Sequence, residues 1–162
     1  MIYILTGAIR TGKTTALLNW INNRNDVDGL LCPDNENGKR YFLKVKTKEE
    51  FLLEVRSEDS DQDVVTVGSF QFLKSAFEEA NTFLISKGNE LASQYLIIDE
   101  LGKLELKNEG LHSAVELLMP VFSANAKKHL IVVIRNNLLN EILNHYEISN
   151  YCVLSKEELD FI

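Results

Sequence analysis

Residues 2–14 read Ile2-Tyr3-Ile4-Leu5-Thr6-Gly7-Ala8-Ile9-Arg10-Thr11-Gly12-Lys13-Thr14. The run from Ile2 to Thr6 is β-rich and too short to favour a helix, so it predicts a strand. From Lys13 the pattern changes: Ala16, Leu17, Trp20 and Ile21 share one helical face, and Asn22-Asn23 ends the run. The loop between fits G-x-x-x-x-G-K-[ST], a phosphate-binding loop in its required strand–loop–helix setting. Gly7 and Gly12 allow backbone approaches that a Cβ would block. The amides of Gly7, Ala8, Ile9, Arg10, Thr11, Gly12, Lys13, Thr14 and Thr15 line this loop and the helix start, where backbone N–H groups favour an anion. Lys13 brings a compact positive charge to β- and γ-phosphates, and the Thr14 hydroxyl suits Mg²⁺.

Working outward, residues 29–46 predict a β-hairpin. Asn37-Gly38 supplies its turn, read as a type I′ turn with φ > 0 at both central residues. Lys48–Leu53 fits a short helix or a strand equally well. Ser57–Asp63 is polar and acidic, the composition of a mobile surface loop. Val64–Val67 predicts a strand closed by Gly68. Phe70, Leu73, Phe77, Ala80 and Leu84 alternate at steps of 3 and 4, predicting an amphipathic helix from Phe70 to about Gly88. Tyr95–Ile98 and Leu130–Ile134 predict buried strands. Leu111–Phe122 predicts a helix that Pro120 kinks or shortens. Leu138–His145 predicts a short helix, Tyr151–Leu154 a last strand. Strands alternating with helices imply an α/β fold: a mostly parallel sheet with helices on both faces, in one domain spanning 1–162.

Tyr95-Leu96-Ile97-Ile98 leads into Asp99-Glu100. A carboxylate at the end of a buried strand, downstream of a phosphate loop, is placed to anchor Mg²⁺ beside Thr14, and Asp99 takes that role. Glu100 is placed to activate an attacking water as general base.

Asp99-Glu100-Leu101-Gly102-Lys103-Leu104-Glu105-Leu106 resembles the Asp-Glu-Ile-Gly-Lys-Met-Glu-Leu signature of the small nucleoside-triphosphatase family known as the thermophilic or cancer-related type. The resemblance implies a RecA-like core over the whole chain and slow, Mg²⁺-dependent hydrolysis of nucleoside triphosphates with loose base preference. It also implies that Lys103 lies near the γ-phosphate or near the loop closing over it. Two departures stand out. Ala8, Ile9 and Arg10 occupy a loop that is commonly rich in Gly and Pro in that family. The family usually carries a Glu-Val-Arg element on the second strand, where the corresponding place here reads Leu31-Cys32-Pro33-Asp34, without the arginine.

Three further residues are candidates. Arg10 can fold over the phosphates as an arginine finger in cis. Arg135 follows Leu130–Ile134 and so lies at a carboxyl end of the sheet, where ligands of open α/β sheets gather, and can sense a γ-phosphate. Glu105 reads as a structural salt bridge or cap. A kinase built on the same loop needs arginines gathered in a lid, and Arg10, Arg24, Arg40, Arg56 and Arg135 are scattered. A nucleotide-dependent switch with slow hydrolysis is the other alternative. Asn-Lys-x-Asp, the mark of guanine-specific switches, does not occur, so an ATP-favouring or base-tolerant site is expected.

The 162 residues carry 17 Lys and Arg against 24 Asp and Glu, a net charge of −7. That field disfavours nucleic acid and anionic membranes while permitting one small anion site. No apolar run approaches a membrane span, and the first residues lack the basic segment of a signal peptide, so a cytoplasmic location is expected, with a protein partner possible. Cys32 and Cys152 sit in apolar stretches, which predicts two buried thiols.

Overall fold

A computed structural model describes residues 1–56 and 63–162. The predicted loop Ser57–Asp63 falls outside the described residues except for Asp63, which pairs with Lys74.

The strands are β1 (Ile2–Gly7), β2 (Val27–Leu31), β3 (Tyr41–Lys44), β4 (Glu50–Leu52), β5 (Glu54–Val55), β6 (Val64–Val67), β7 (Phe70–Leu73), β8 (Tyr95–Leu101), β9 (His129–Arg135) and β10 (Tyr151–Leu154). The helices are α1 (Lys13–Trp20), α2 (Lys74–Glu90), α3 (His112–Ser123) and α4 (Leu139–His145). A seven-stranded sheet runs β10-β1-β9-β8-β2-β3-β4. Its first five strands are parallel, and β3 and β4 add an antiparallel edge.

Alternation along the parallel strands builds both faces. Ile2 and Ile4 of β1, Leu96 and Ile98 of β8, and Leu130, Val132 and Ile134 of β9 pack with α2, α3 and α4. Leu5, Ile97, Ile131 and Val133 pack on the other face with Leu17 and Trp20 of α1 and with Leu159. Near-continuous apolar strands such as β9 follow from this double covering.

The hairpin β2–β3 forms, with Leu30 opposite Lys44 and Leu31 opposite Leu43. Its turn differs from expectation. The Gly38 amide donates to the Asn35 carbonyl at 2.9 Å, and Gly38 alone has positive φ there, +69°. The Asn35 side chain accepts from the amides of Asn37 and Lys39, so Asn35 organises the turn and a type I′ geometry is not needed. Lys48–Leu53 resolves as β4.

The amphipathic helix starts later than its periodicity suggested. Phe70–Leu73 is β7, the central strand of a three-stranded sheet ordered β5-β7-β6, and α2 begins at Lys74. Phe72 is buried against Phe77, and a strand followed directly by a helix gave an uninterrupted apolar pattern. Pro120 lies inside α3, which continues to Ser123. No described helix is long and apolar enough to cross a membrane.

Candidate functional site

The parallel order places the phosphate-loop strand β1 between β10 and β9, and β8 beyond β9. The loop Ala8–Gly12, the end of β8 and the end of β9 therefore meet at one carboxyl edge of the sheet, where open α/β folds bind ligands.

The loop is held from within. The Thr11 hydroxyl donates to the Ala8 carbonyl at 2.8 Å. The Lys13 ammonium, on a buried side chain, donates to the carbonyls of Ala8 at 2.8 Å and Gly7 at 3.3 Å. A Cβ on Gly7 would sit 3.2 Å from Thr11 Oγ1 and 3.7 Å from Lys13 Cδ, so the glycine leaves Lys13 its path. Gly12, at φ +81°, caps α1. Arg10 holds φ +58°, a conformation an L-residue pays energy to adopt, and its side chain is exposed with those of Ile9 and Thr15.

Asp99 is 1% exposed. Its Oδ2 accepts from the Thr14 hydroxyl at 2.8 Å and from the Cys32 amide at 3.2 Å. Burial pushes its pKa up to about 6, opposed by those two hydrogen bonds and raised further by the charge of Glu100. A hydroxyl and a buried carboxylate converging on one point are hard oxygen donors, the kind Mg²⁺ takes alongside its waters and substrate phosphates. A cation there would also offset the burial of the carboxylate charge, so the residues present fit the metal.

Glu100 and Arg135 meet. Arg135 Nε donates to Glu100 Oε1 at 2.7 Å, and Nη2 donates to the same oxygen. A register shift in β8 makes the pairing possible. Ile98 lies opposite Val132 and Leu101 opposite Ile134, so three steps on β8 match two on β9. Ile98 and Leu101 consequently share one face. Without this bulge, alternation would send Glu100 to the face away from Arg135. Arg135 is also the sheet partner of Gly7, which puts it beside the first residue of the loop.

Lys103 is exposed in the turn after β8 and makes no ion pair or hydrogen bond among the described residues. Glu105 is 3% exposed and accepts from the amides of Gly102 at 2.7 Å and Leu111 at 2.8 Å. Burial raises its pKa against the pull of those amides. The expected cap is therefore found, and it fixes the turn that carries Lys103. Of the two thiols expected to be buried, one departs. Cys152 is exposed on the edge strand β10. Cys32 is partly exposed as a residue, yet its sulfur is enclosed beside Asp99, and burial pushes the thiol well above its usual range.

Two contacts were invisible in the sequence. The Cys32 amide reaches Asp99 only because β2 and β8 pair. The Lys156 ammonium donates to the Thr11 carbonyl at 2.9 Å across 145 positions, a spacing that carries no local pattern.

A family model described as NTPase matches residues 2–160. Among solved structures, the crystal structure of THEP1 from the hyperthermophile Aquifex aeolicus superposes with a TM-score of 0.72 at 17% identity, covering 99% of this chain and 93% of that one. A comparison with the curated proteins returned no match.

Proposed function

The chain belongs to this NTPase family, and from that premise we propose that it is a Mg²⁺-dependent nucleoside triphosphatase, a single 1–162 domain that cleaves the β–γ phosphoanhydride of ATP, GTP or other nucleoside triphosphates with loose base preference. The observation that carries this reading is the Thr14–Asp99 contact at the mouth of the loop.

Residues 7–15 bind the polyphosphate through their amides, and Lys13 exchanges its loop carbonyls for phosphate oxygens. Thr14 and Asp99 would hold Mg²⁺. Held there, Mg²⁺ would supply positive charge against the negative charge that develops on the phosphates during transfer. Glu100 orients and deprotonates the attacking water, a role worth about 10²–10⁴ in rate. Arg10 stands at the loop tip and Lys103 on the Glu105-braced turn, where either can approach the phosphates from solvent. The kinase alternative is disfavoured by where two arginines go: Arg24 pairs with Asp26 and stacks on Trp20, and Arg40 stacks on Phe70 and Phe72.

Phosphate release with Mg²⁺ and each of four nucleoside triphosphates, without acceptor, tests the reading. Turnover of at least one is expected. Lys13→Ala should abolish productive binding, whereas Glu100→Gln should keep binding and lose turnover by about 10²-fold or more. Diphosphate products made only when a monophosphate acceptor is added would move the chain to the kinases.

A further inference from the structure

Glu100 and Arg135 each have a stated use at the γ-phosphate end of the site, yet they hold each other. Two donors of one guanidinium converge on a single carboxylate oxygen, Oε1. Both side chains remain more than a quarter exposed, so neither is locked in the core. Arg135 is tethered at the end of β9 beside Gly7, and Glu100 on the bulge beside Asp99. A guanidinium is fully charged at any working pH and binds phosphate oxygens through the same planar fork that it offers a carboxylate. A terminal phosphate bridged to the Thr14–Asp99 corner would therefore compete with Glu100 for Arg135 at short range.

We propose that the Arg135–Glu100 pair is the element by which this site distinguishes a triphosphate from a diphosphate: the γ-phosphate draws Arg135 off Glu100, and only then is Glu100 free to take a water. The inference rests on the nucleoside-triphosphatase reading and adds a specificity determinant to it. A diphosphate ends one phosphorus short, leaves the pair closed and leaves the base engaged. Each triphosphate bound must break one ion pair, so Glu100 acts against triphosphate affinity through Arg135.

A double-mutant cycle separates this from plain charge repulsion between Glu100 and the phosphate. The quantity is the dissociation constant of a β,γ-imido triphosphate with Mg²⁺, divided by that of the matching diphosphate, for wild type, Glu100→Gln, Arg135→Gln and the double variant. Glu100→Gln should improve triphosphate binding by about 3- to 10-fold and leave diphosphate binding unchanged. Arg135→Gln should weaken triphosphate binding selectively by about tenfold. In the Arg135→Gln background the gain from Glu100→Gln should vanish. Arg135→Lys, which keeps the charge but loses the fork, should fall between wild type and Arg135→Gln and serves if the glutamine variant does not fold. A Glu100→Gln gain of equal size in both backgrounds would show repulsion alone and overturn the exchange. No gain at all would do the same. Failure of wild-type protein to bind either nucleotide would instead remove the nucleoside-triphosphatase reading itself.

Discussion

Asp99 shows how a residue suited to a ligand costs the fold that holds it. The folded protein keeps its carboxyl at about 6, above the ordinary aspartate value of 3.8, so the native state binds the proton more tightly. Below about pH 4 both states are protonated and the group contributes nothing. Between about 4 and 6 the unfolded chain ionises first and stability falls, and above 6 the full penalty, on the order of 3 kcal/mol, persists. In EDTA and without nucleotide, Asp99→Asn should therefore raise stability at pH 8, with a gain that shrinks to nothing near pH 4. Urea titrations across that range check it, and a loss of stability at pH 8 would show that desolvation does not dominate. The same variant should lose Mg²⁺-nucleotide binding. Burial raises the Glu105 pKa as well, but the geometry differs, because each of its two carboxylate oxygens accepts from its own amide. Glu105→Gln sets an NH₂ against one of those donors and should lower stability by about 1–3 kcal/mol. For a chain of this size that is several degrees in Tm, read directly by thermal denaturation.

At the scale of elements, the site depends on how closely β2 and β8 approach. Gly29 holds φ +123°, and a Cβ there would lie 2.2 Å from the Ile97 carbonyl oxygen and 2.5 Å from the Ile97 nitrogen, both backbone. The strands must part to admit one methyl group. Gly29→Ala should cost about 3 kcal/mol or more in stability. Because the Cys32 amide reaches Asp99 from the end of β2, the survivors should also bind Mg²⁺-nucleotide more weakly. Binding titrations at a temperature where the variant is folded separate the two effects. Gly29 opens the apolar stretch of the expected hairpin, and neither its close approach nor the strand it meets could be named from sequence. The loop, α1 and the end of β8 were legible because glycine spacing and period are local. The Phe70–Leu73 strand was not, since four residues of apolar sequence before a helix extend the helical pattern without a break. Glu100's direction was equally hidden. Strict alternation assigns it to one face, and only the three-against-two register with β9 turns it to Arg135.

Across the whole molecule, the C-terminal turn closes on the phosphate loop. The 3₁₀ turn Lys156–Phe161 follows β10 and begins with a capping box, in which the Ser155 amide donates to Glu158 Oε2 at 2.7 Å. Leu159, 2% exposed, anchors the turn in the same apolar cluster as Leu17 and Trp20 of α1. The turn is thus fastened to the helix that the loop begins, and Lys156 extends from it to the Thr11 carbonyl. An acidic chain of net charge −7 nonetheless places a cation against the segment that must receive a polyanion. If Lys156 braces the loop backbone, its effect is blind to the nucleoside. Lys156→Ala should weaken binding of all four Mg²⁺-nucleoside triphosphates by a common factor of about three, and of inorganic tripolyphosphate by the same factor, the modest size reflecting an exposed side chain. Leu159→Ala should lower stability by about 2–4 kcal/mol and, at temperatures where it stays folded, show the same base-blind loss. Calorimetric titration of wild type and both variants provides the comparison. A loss confined to nucleotides, with tripolyphosphate unaffected, would place Lys156 on the nucleoside and not on the loop.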